Sequence, residues 1–456
     1  MMTELDRSQR ANLYLAAILG IPILLVASYL IFIIYLKDDF ASCPPNCQGY
    51  HVQEPNLAGV DYRNRDYSEA DFSGVDLTHA NLSGSQLYFA NFSRANLSNA
   101  DLSQANMRGA LLNEALLRHS NLSGADLQGA RLLNADLTGA DLRGAKTLGA
   151  DFTLVNLGDV QIDEKTELSA RWKLIWSLLN EDAENQNLVK ADLRDAYLLD
   201  VNLADANLRN ANLGGALLLG ADLSNVQLDG ADLRGAKLDE TTQLPDKWRL
   251  VWHVINEVQE GRTLDNEDLS HAYMAAAFLR RANLRRTDLS HVTMTLADLR
   301  QADLTDAILR NGDFTEATMR GATLRNADLR GAKLGGVDLS LADLRGVQID
   351  EETVLLSQWA RIWVLVNQGV GDQDLSESML AWSNLAGANL SGANLSRARL
   401  RYAILTGADL TEADLTGADL TGADLTGADL THADLTDADL TDADLTGAIL
   451  KDALLP

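Results

Sequence analysis

The 456-residue chain is poor in cysteine, proline and aromatic residues. Its two cysteines, Cys43 and Cys47, exclude a disulfide framework and a four-thiolate zinc site, and they allow at most one small closed loop. Aromatic residues make up 5% of the chain, although 46% of its residues are hydrophobic. The composition therefore favours many small, repeated contacts over one large globular core.

Basic residues are also scarce, with 38 against 65 acidic residues and a net charge of -27. This charge repels nucleic acid, so we expect no direct nucleic-acid binding. The "GADL" glycines lack the strand-to-helix context of a phosphate-binding loop. His271 and His291 lie twenty residues apart, but no third ligand accompanies them, so a metal pair is the weaker interpretation. We therefore expect no enzymatic activity, no cofactor and no metal.

The longest apolar run is "ANLYLAAILGIPILLVASYLIFIIYL", at residues 11–36 after a short tail of residues 1–10. It is uncharged and long enough to cross a hydrocarbon core of about 30 Å, so it predicts one transmembrane helix. A buried soluble helix and a cleaved signal peptide are weaker alternatives. Arg7 and Arg10 precede the run and only Lys37 follows closely, which favours a cytoplasmic N-terminus and a periplasmic or lumenal repeat region.

Residues 37–56 have the prolines of a linker. In an oxidising compartment Cys43 and Cys47 would form a disulfide, and the alternative is two unpaired thiols. The segment "FASC" is similar to a bacterial lipoprotein cleavage box, but Phe40 replaces the usual aliphatic residue, so lipidation of Cys43 is a weaker interpretation than a retained anchor.

A repeat of five residues begins beyond the linker. Leu77, Leu82 and Leu87 open a series of large apolar residues at every fifth position, with alanines such as Ala80 and Ala90 two places before such centres. A period of five fits neither a helix nor an alternating strand. Two inward residues per five suit a chain that turns a corner every pentad, so that four pentads close a square coil and coils stack about 4.8 Å apart.

The units "A[DN]Lxx", as in "ANLSGANLSRARL" and "ADLTGADLTGADL", cover most of residues 57–455 and resemble the pentapeptide-repeat proteins. The resemblance implies a mainly β fold, the right-handed quadrilateral β-helix. Long arrays with Trp-bearing inserts look like those abundant in cyanobacteria, where a thylakoid or plasma membrane would be natural. Some members mimic duplex DNA and occupy DNA gyrase or a related topoisomerase, which makes DNA mimicry an alternative function.

Three copies of one non-repeating element interrupt the pentads, so the sequence predicts four repeat blocks joined by short α-helical inserts. The blocks are residues 57–162, 188–238, 264–349 and 375–456, and the inserts are residues 163–187, 239–263 and 350–374. The pentad centres that flank each insert are 26 residues apart, so every insert advances the pentad frame by one residue.

Each insert carries two tryptophans at i and i+4, which predicts an apolar stripe on a short helix. The pairs are Trp172 and Trp176, Trp248 and Trp252, and Trp359 and Trp363. Pro245 suits a first helical turn, and Asn180, Asn256 and Asn367 lie where a left-handed residue would end the helix. The stripe either covers the open end or side of a block, which we favour, or forms an interaction surface.

Charge differs between the blocks. Arg280, Arg300 and Arg320 recur every twenty residues and predict a basic ladder on one side of the third block. Salt bridging with nearby acids is the simpler interpretation of this block, and those acids are Asp298, Asp303, Asp328 and Asp343. The last block instead carries an aspartate at the same position of eight successive pentads, from Asp409 to Asp444, and like charges one coil apart repel.

The last pentads end in "AILKDALLP" without another helical insert. We expect the open coil to be covered by Ala453 to Pro456 folding back, by a second copy in a homodimer, or by another partner. The sequence as a whole predicts a non-enzymatic, single-pass membrane scaffold that presents a rigid acidic β-helix to protein partners. A DNA-mimic inhibitor or protector of gyrase or topoisomerase is the alternative.

Overall fold

The computed structural model describes residues 48, 49, 52, 54–369 and 374–456. The predicted membrane helix at residues 11–36, together with Cys43 and Cys47, lies outside the described residues. Within the described part, no helix combines the length and apolar character needed to span a bilayer. This part contains three α-helices of 11 residues each, α1 at Ala170–Asn180, α2 at Asp246–Asn256 and α3 at Ser357–Asn367.

The rest of the regular structure is a β solenoid of single-residue parallel bridges. The bridges join residues twenty apart, as Asn56 does with Asp76 and Asp76 with Asn96, so four pentads form one coil as the period predicts. Bridges run through residues 56–161, 187–243, 263–354 and 374–454, and the three helices lie in the intervals between these ranges.

The pentad at residues 76–80 shows how the sequence turns each corner. The Asp76 carboxylate accepts the backbone N–H of Thr78 at 3.0 Å, which fixes the start of the turn. His79 has a left-handed φ of 57°, the conformation that glycine and asparagine adopt most readily. Leu77 and Ala80 point inward and are fully buried. The "A[DN]Lxx" unit therefore specifies one side-chain acceptor for the turn, one left-handed residue and two core residues.

The core is a stack of these inward residues, and the backbone ladder between coils encloses it. Leu77 N–H donates to Asn96 O at 2.7 Å, and Asn96 N–H donates to Val75 O at 3.0 Å. Each buried leucine contributes about 1.5–3 kcal/mol. Because every coil contacts only its neighbours, stability is a sum of nearest-neighbour interfaces.

The chain forms two compact units that divide between Trp176 and Ser177, inside α1. The first unit holds the first repeat block, and the second unit holds the other three. Inside the second unit, backbone hydrogen bonds connect consecutive blocks past the helices. Gly230 N–H donates to His271 O at 2.7 Å, and Leu341 N–H donates to Trp382 O at 2.6 Å. In each bond, the two residues occupy the same turn position of their pentads.

Candidate interaction surface

The second tryptophan of each pair donates a hydrogen bond that the next coil would donate if the repeats continued without an insert. In a continuous stack, a carbonyl such as Val60 O accepts the N–H of the residue 21 positions later, here Asn81 at 2.8 Å. At the block ends an indole N–H takes this role. The three bonds are Trp176 to Val160 O at 2.7 Å, Trp252 to Ala236 O at 2.8 Å, and Trp363 to Val347 O at 2.7 Å.

The asparagine at the end of the helix forms hydrogen bonds with the backbone of a turn in the preceding block. The Asn256 side chain accepts the Gly235 N–H at 2.5 Å and donates to Leu233 O at 3.1 Å. Asn367 makes the equivalent bonds. The prediction that a left-handed asparagine ends each helix is wrong, because Asn180, Asn256 and Asn367 are each the last helical residue and none has a positive φ.

An aspartate and a threonine before each helix complete the cover. Asp239 accepts the Gly220 N–H at 3.2 Å, and the Thr242 hydroxyl donates to Leu218 O at 2.9 Å. The hydroxyl of Thr241 is the main cause that lowers the pKa of Asp239. The same pair recurs in the other inserts. Sequence reasoning missed these residues, although "DEKT", "DETT" and "DEET" stand at one fixed distance before the tryptophans.

The first tryptophan of each pair is buried under the helix. Trp172, Trp248 and Trp359 are 8%, 7% and 5% exposed. Such burial leaves these three rings little surface for a partner. The geometry of the inserts is that of a cover over each block end, and the surface available for recognition lies elsewhere.

The three arginines of the predicted ladder occupy one turn position on successive coils. Arg300 bonds both carboxylate oxygens of Asp298, at 2.7 and 2.5 Å, and this pairing lowers the pKa of Asp298. The Arg280 Nε lies 3.5 Å from Glu260 without a hydrogen-bond partner, although the atom itself is buried. No carboxylate among the described residues pairs with Arg320. The ladder is therefore only partly neutralised.

Arginines outside the ladder neutralise two buried acids of this block, Asp328 and Asp343. Asp328 is 7% exposed and is held between Arg310 at 2.5 Å and Arg330 at 2.7 Å. The bond from Arg330 is the main cause that lowers the pKa of Asp328 to about 2. Burial alone would raise the pKa of Asp343, but two arginines outweigh it and the pKa is lowered. Most salt bridging in this block thus lies outside the ladder.

The ladder continues past α3 into an exposed aromatic stack. Trp382 stacks on Tyr402 with ring centroids 4.3 Å apart, and the two side chains are 38% and 40% exposed. The guanidinium carbon of Arg320 lies 4.8 Å from the Trp382 ring, in cation–π geometry. Sequence reasoning missed this stack. Its signal was the twenty-residue spacing between Trp382 and Tyr402, the same rule that located the arginines.

We refer to this side of the second unit as the basic–aromatic face. Its members are Arg280, Arg300, Arg320, Leu341, Met379, Trp382, Arg399, Arg401 and Tyr402. A cleft of about 350 Å³ runs along the ladder to Leu341. A second cleft of about 330 Å³ lies between α3 and Met379. Arginine, tryptophan, tyrosine and methionine are the residues most enriched at protein interfaces, so this face is suited to bind an acidic protein surface.

The aspartates of the last block have a structural role. In every pentad from Asp409 to Asp444, the carboxylate accepts the backbone N–H of the threonine two residues later, at 2.9 to 3.1 Å. Threonine side-chain bonds lower the pKa of Asp424 and Asp444. Each carboxylate therefore fixes a turn, a role that sequence reasoning missed, while the repulsion between like charges one coil apart stays a prediction.

The rings of the two histidines singled out in the sequence stack face to face. The rings of His271 and His291 are 4.6 Å apart and 6° from parallel. No group of three or more His, Cys, Asp or Glu side chains in the described part is arranged to hold a metal ion.

The last residues continue the series of parallel backbone bridges between coils. Leu454 bridges Asp434, and Leu454 and Leu455 are 58% and 55% exposed. The expectation that Ala453 to Pro456 fold back over the last coil is therefore wrong, and a second copy or another partner stays a prediction.

The family follows from the repeats themselves. The family model described as pentapeptide repeats (8 copies) matches residues 56–159, 182–239, 268–346 and 378–452, which is more than half of the chain. The chain belongs to the pentapeptide repeat family. Pentapeptide repeats form a protein-interaction type of fold. No curated protein matches this pentapeptide-repeat chain.

Solved pentapeptide repeat structures are similar in sequence to parts of the chain. HetL from Nostoc sp. strain PCC 7120, described as involved in heterocyst differentiation regulation, is 22% identical over 70% of this chain and 98% of its own, with a TM-score of 0.16. Rfr23 from Cyanothece 51142 is 28% identical over 27% and 92%, with a TM-score of 0.14. A pentapeptide repeat protein from the thylakoid lumen of Arabidopsis thaliana is 28% identical over 28% and 81%, also with a TM-score of 0.14.

Proposed function

We propose that this pentapeptide-repeat protein is a non-enzymatic scaffold whose solenoid holds a protein-binding surface in a fixed geometry. The observation that carries the proposal is the basic–aromatic face, where Arg320, Trp382 and Tyr402 form one exposed stack. Exposed aromatic and arginine side chains in contact with one another are typical of binding hot spots. In a chain of net charge -27, this face also differs from most of the surface in sign.

The solenoid supplies the rigidity that a scaffold needs. Trp382 is fixed by its backbone bond to Leu341 on one side and by Tyr402 on the other. The Tyr402 ring in turn lies over Gly422, where any side chain would collide with it. Because the ring positions are set by the coils beneath them, little conformational entropy is lost when a partner binds.

A photo-crosslinking amino acid placed at residue 382 tests the proposal in cells. Tyr88 and Phe89 offer a matched control, because they form another exposed aromatic pair, 41% and 52% exposed with rings 4.2 Å apart. We expect a discrete crosslinked protein from residue 382 and none from residue 88. Equal crosslinking from both positions, or none from residue 382, would refute an interaction role for this face.

We further propose that residues 11–36 anchor the protein in a membrane, with the solenoid on the periplasmic or lumenal side. The proposal is supported by the uncharged length of this run and by the arginines that precede it. A membrane-impermeant thiol reagent tests it through Cys43 and Cys47 in intact cells and in spheroplasts. Because a disulfide between these cysteines would not react, the samples are first treated with a membrane-impermeant reductant. Labelling only after the inner membrane is broken would place the solenoid in the cytoplasm.

The alternative function is DNA mimicry directed at gyrase or a topoisomerase. The observation that favours it is the regular stack of aspartates in the last block, which bridge one another at Asp424 and Asp444. Inhibition or protection of purified gyrase in a supercoiling assay would support this alternative. It requires a cytoplasmic solenoid, so the thiol-labelling result separates it from the membrane scaffold described above.

A further inference from the structure

The arginine ladder and the acidic block repeat at the same interval, because both are built from coils of one solenoid. Residues twenty apart are separated by one bridge spacing, about 4.8 Å, in either region. We propose that the ladder of Arg280, Arg300 and Arg320 binds the column of Asp424 and Asp444 on a second copy of this chain, with the two solenoids side by side. This inference rests on the proposed scaffold function and specifies its partner.

The spacing favours a solenoid over a flexible acidic peptide as the occupant. Side chains on one face of an extended strand recur every two residues, or about 6.6–6.8 Å, and fall out of step with guanidinium groups about 4.8 Å apart. A column of side chains on another solenoid has the same spacing of about 4.8 Å, so it matches the guanidinium groups along its whole length. The acidic block of a second copy supplies such a column with the complementary charge.

The ladder has donors left for a partner. Arg320 contacts the Trp382 ring and leaves its guanidinium donors unpaired. The Nε of Arg280 is buried 3.5 Å from Glu260, so the donors that Arg280 can offer to a partner are its terminal nitrogens. Arg300 uses its Nε and one terminal nitrogen on Asp298, and a guanidinium has five N–H donors in all. These groups open onto the cleft of about 350 Å³ along the ladder.

The aspartate column is accessible and flat. Asp424 and Asp444 stack directly, and each uses its Oδ1 to accept a threonine N–H. The Oδ2 of Asp424 also accepts the Thr406 hydroxyl at 3.0 Å, and Asp444 is exposed. Beside these carboxylates the pentads carry only threonine and then glycine, which are small side chains. A second flat face can therefore approach closely, and its arginines relieve the repulsion between the stacked charges.

The contact is head-to-tail, because it joins two different surfaces, and repeating it gives either a closed ring or an open series of copies. Two chains of charge -27 repel each other at long range. At about 0.15 M salt the screening length is roughly 8 Å, so this repulsion is reduced while the contacting ion pairs persist. At about 1 M salt the screening length of roughly 3 Å weakens the contacting pairs as well.

Sedimentation velocity of the full chain in detergent micelles tests the contact. We expect concentration-dependent species larger than the monomer at physiological salt, and their loss at high salt. The basic variant Arg280→Gln/Arg320→Gln and the acidic variant Asp424→Asn/Asp444→Asn should each associate at least about tenfold more weakly. Asparagine keeps the side-chain oxygen that accepts the threonine N–H, so the acidic variant retains its turns.

Mixing the two variants gives the sharpest result. Each keeps one intact half of the contact, so an equimolar mixture should form a dimer and nothing larger. The controls are Arg94→Gln/Arg209→Gln and Asp414→Asn/Asp434→Asn, which change the net charge by the same amounts on other parts of the surface. Both controls should associate like the wild type.

A wild type that stays monomeric at every salt concentration overturns the inference, and so does an equal loss of association in the controls. The scaffold function is judged separately by crosslinking from residue 382. A crosslink there to a different protein, together with a monomeric wild type, would retain the scaffold and reject self-association.

Discussion

Replacing Thr242 by valine tests whether the inserts act as covers. The Thr242 side chain is buried, and its hydroxyl lies 2.9 Å from Leu218 O and 3.0 Å from Asp239 Oδ1. The same hydroxyl accepts the Asp239 N–H at 3.1 Å. Valine has nearly the same shape, so the substitution removes these bonds without opening a cavity.

The expected loss follows from the groups left behind. One hydroxyl proton serves one acceptor at a time, so valine deprives one acceptor and one donor of a partner. Leu218 lies in the core, where water cannot replace the missing bond. An unsatisfied buried group costs about 1–3 kcal/mol, which corresponds to roughly 5- to 150-fold more frequent local opening.

Hydrogen exchange measured on peptides from residues 218–243 is the suitable assay, because a long repeat array need not unfold in a single step. Thr353 provides the matched control. It makes the same bond to Leu329 O at 3.1 Å, but it is only half-buried. Water can reach the vacated position there, so Thr353→Val should accelerate exchange by less than about tenfold.

Two results would contradict this reasoning. Exchange in Thr242→Val that equals the wild type would show that the carbonyl of Leu218 does not depend on the insert. A larger effect from Thr353→Val than from Thr242→Val would show that burial does not set the loss.

Two further predictions concern a charge and a glycine. The pKa of Asp328 is lowered to about 2 from an unfolded value of about 3.9, so its ionised form stabilises the fold above pH 3.9 and this contribution is lost as the pH falls towards 2. Thermal unfolding of Asp328→Asn should therefore depend less steeply on pH in that window than the wild type, and equal slopes would contradict the assignment. Gly422→Ala and Gly427→Ala both strain a φ near +65°, but only the former places a Cβ 2.5 Å from the Tyr402 ring. The former should lower the melting temperature more and change tryptophan emission, whereas equal effects would show that the ring moves freely.

The features that follow from residue spacing within a block were predictable from the sequence. The five-residue period gives the coil, and the twenty-residue spacing of Arg280, Arg300 and Arg320 places them in one column. The same spacing would have paired Trp382 with Tyr402. These relations follow because each coil rests directly on the previous one.

The block junctions were not predictable in the same way. The contact between Arg320 and Trp382 depends on how the chain returns after α3, and the bond from Leu341 to Trp382 fixes that return. Gly230 and His271 are 41 residues apart, as are Leu341 and Trp382, which is two coils plus the one-residue advance of the frame. The sequence contains this spacing, but it does not show that the stack resumes past the helix.

The asparagine prediction failed for a related reason. Asn256 bonds Gly235 of the preceding coil, a tertiary role that outweighs its tendency to adopt a left-handed conformation at the end of a helix.

The turn bond made by the first residue of a pentad does not depend on whether that residue is charged. Asn96 and Asp101 accept the same backbone N–H, at 3.1 and 3.0 Å, so the neutral and the charged residue serve the turn equally. Exchanging one for the other alters the electrostatic pattern of a coil while leaving its hydrogen bonds in place. A solenoid of this design can therefore change its binding partners, one coil at a time, while the hydrogen bonds of its turns stay the same.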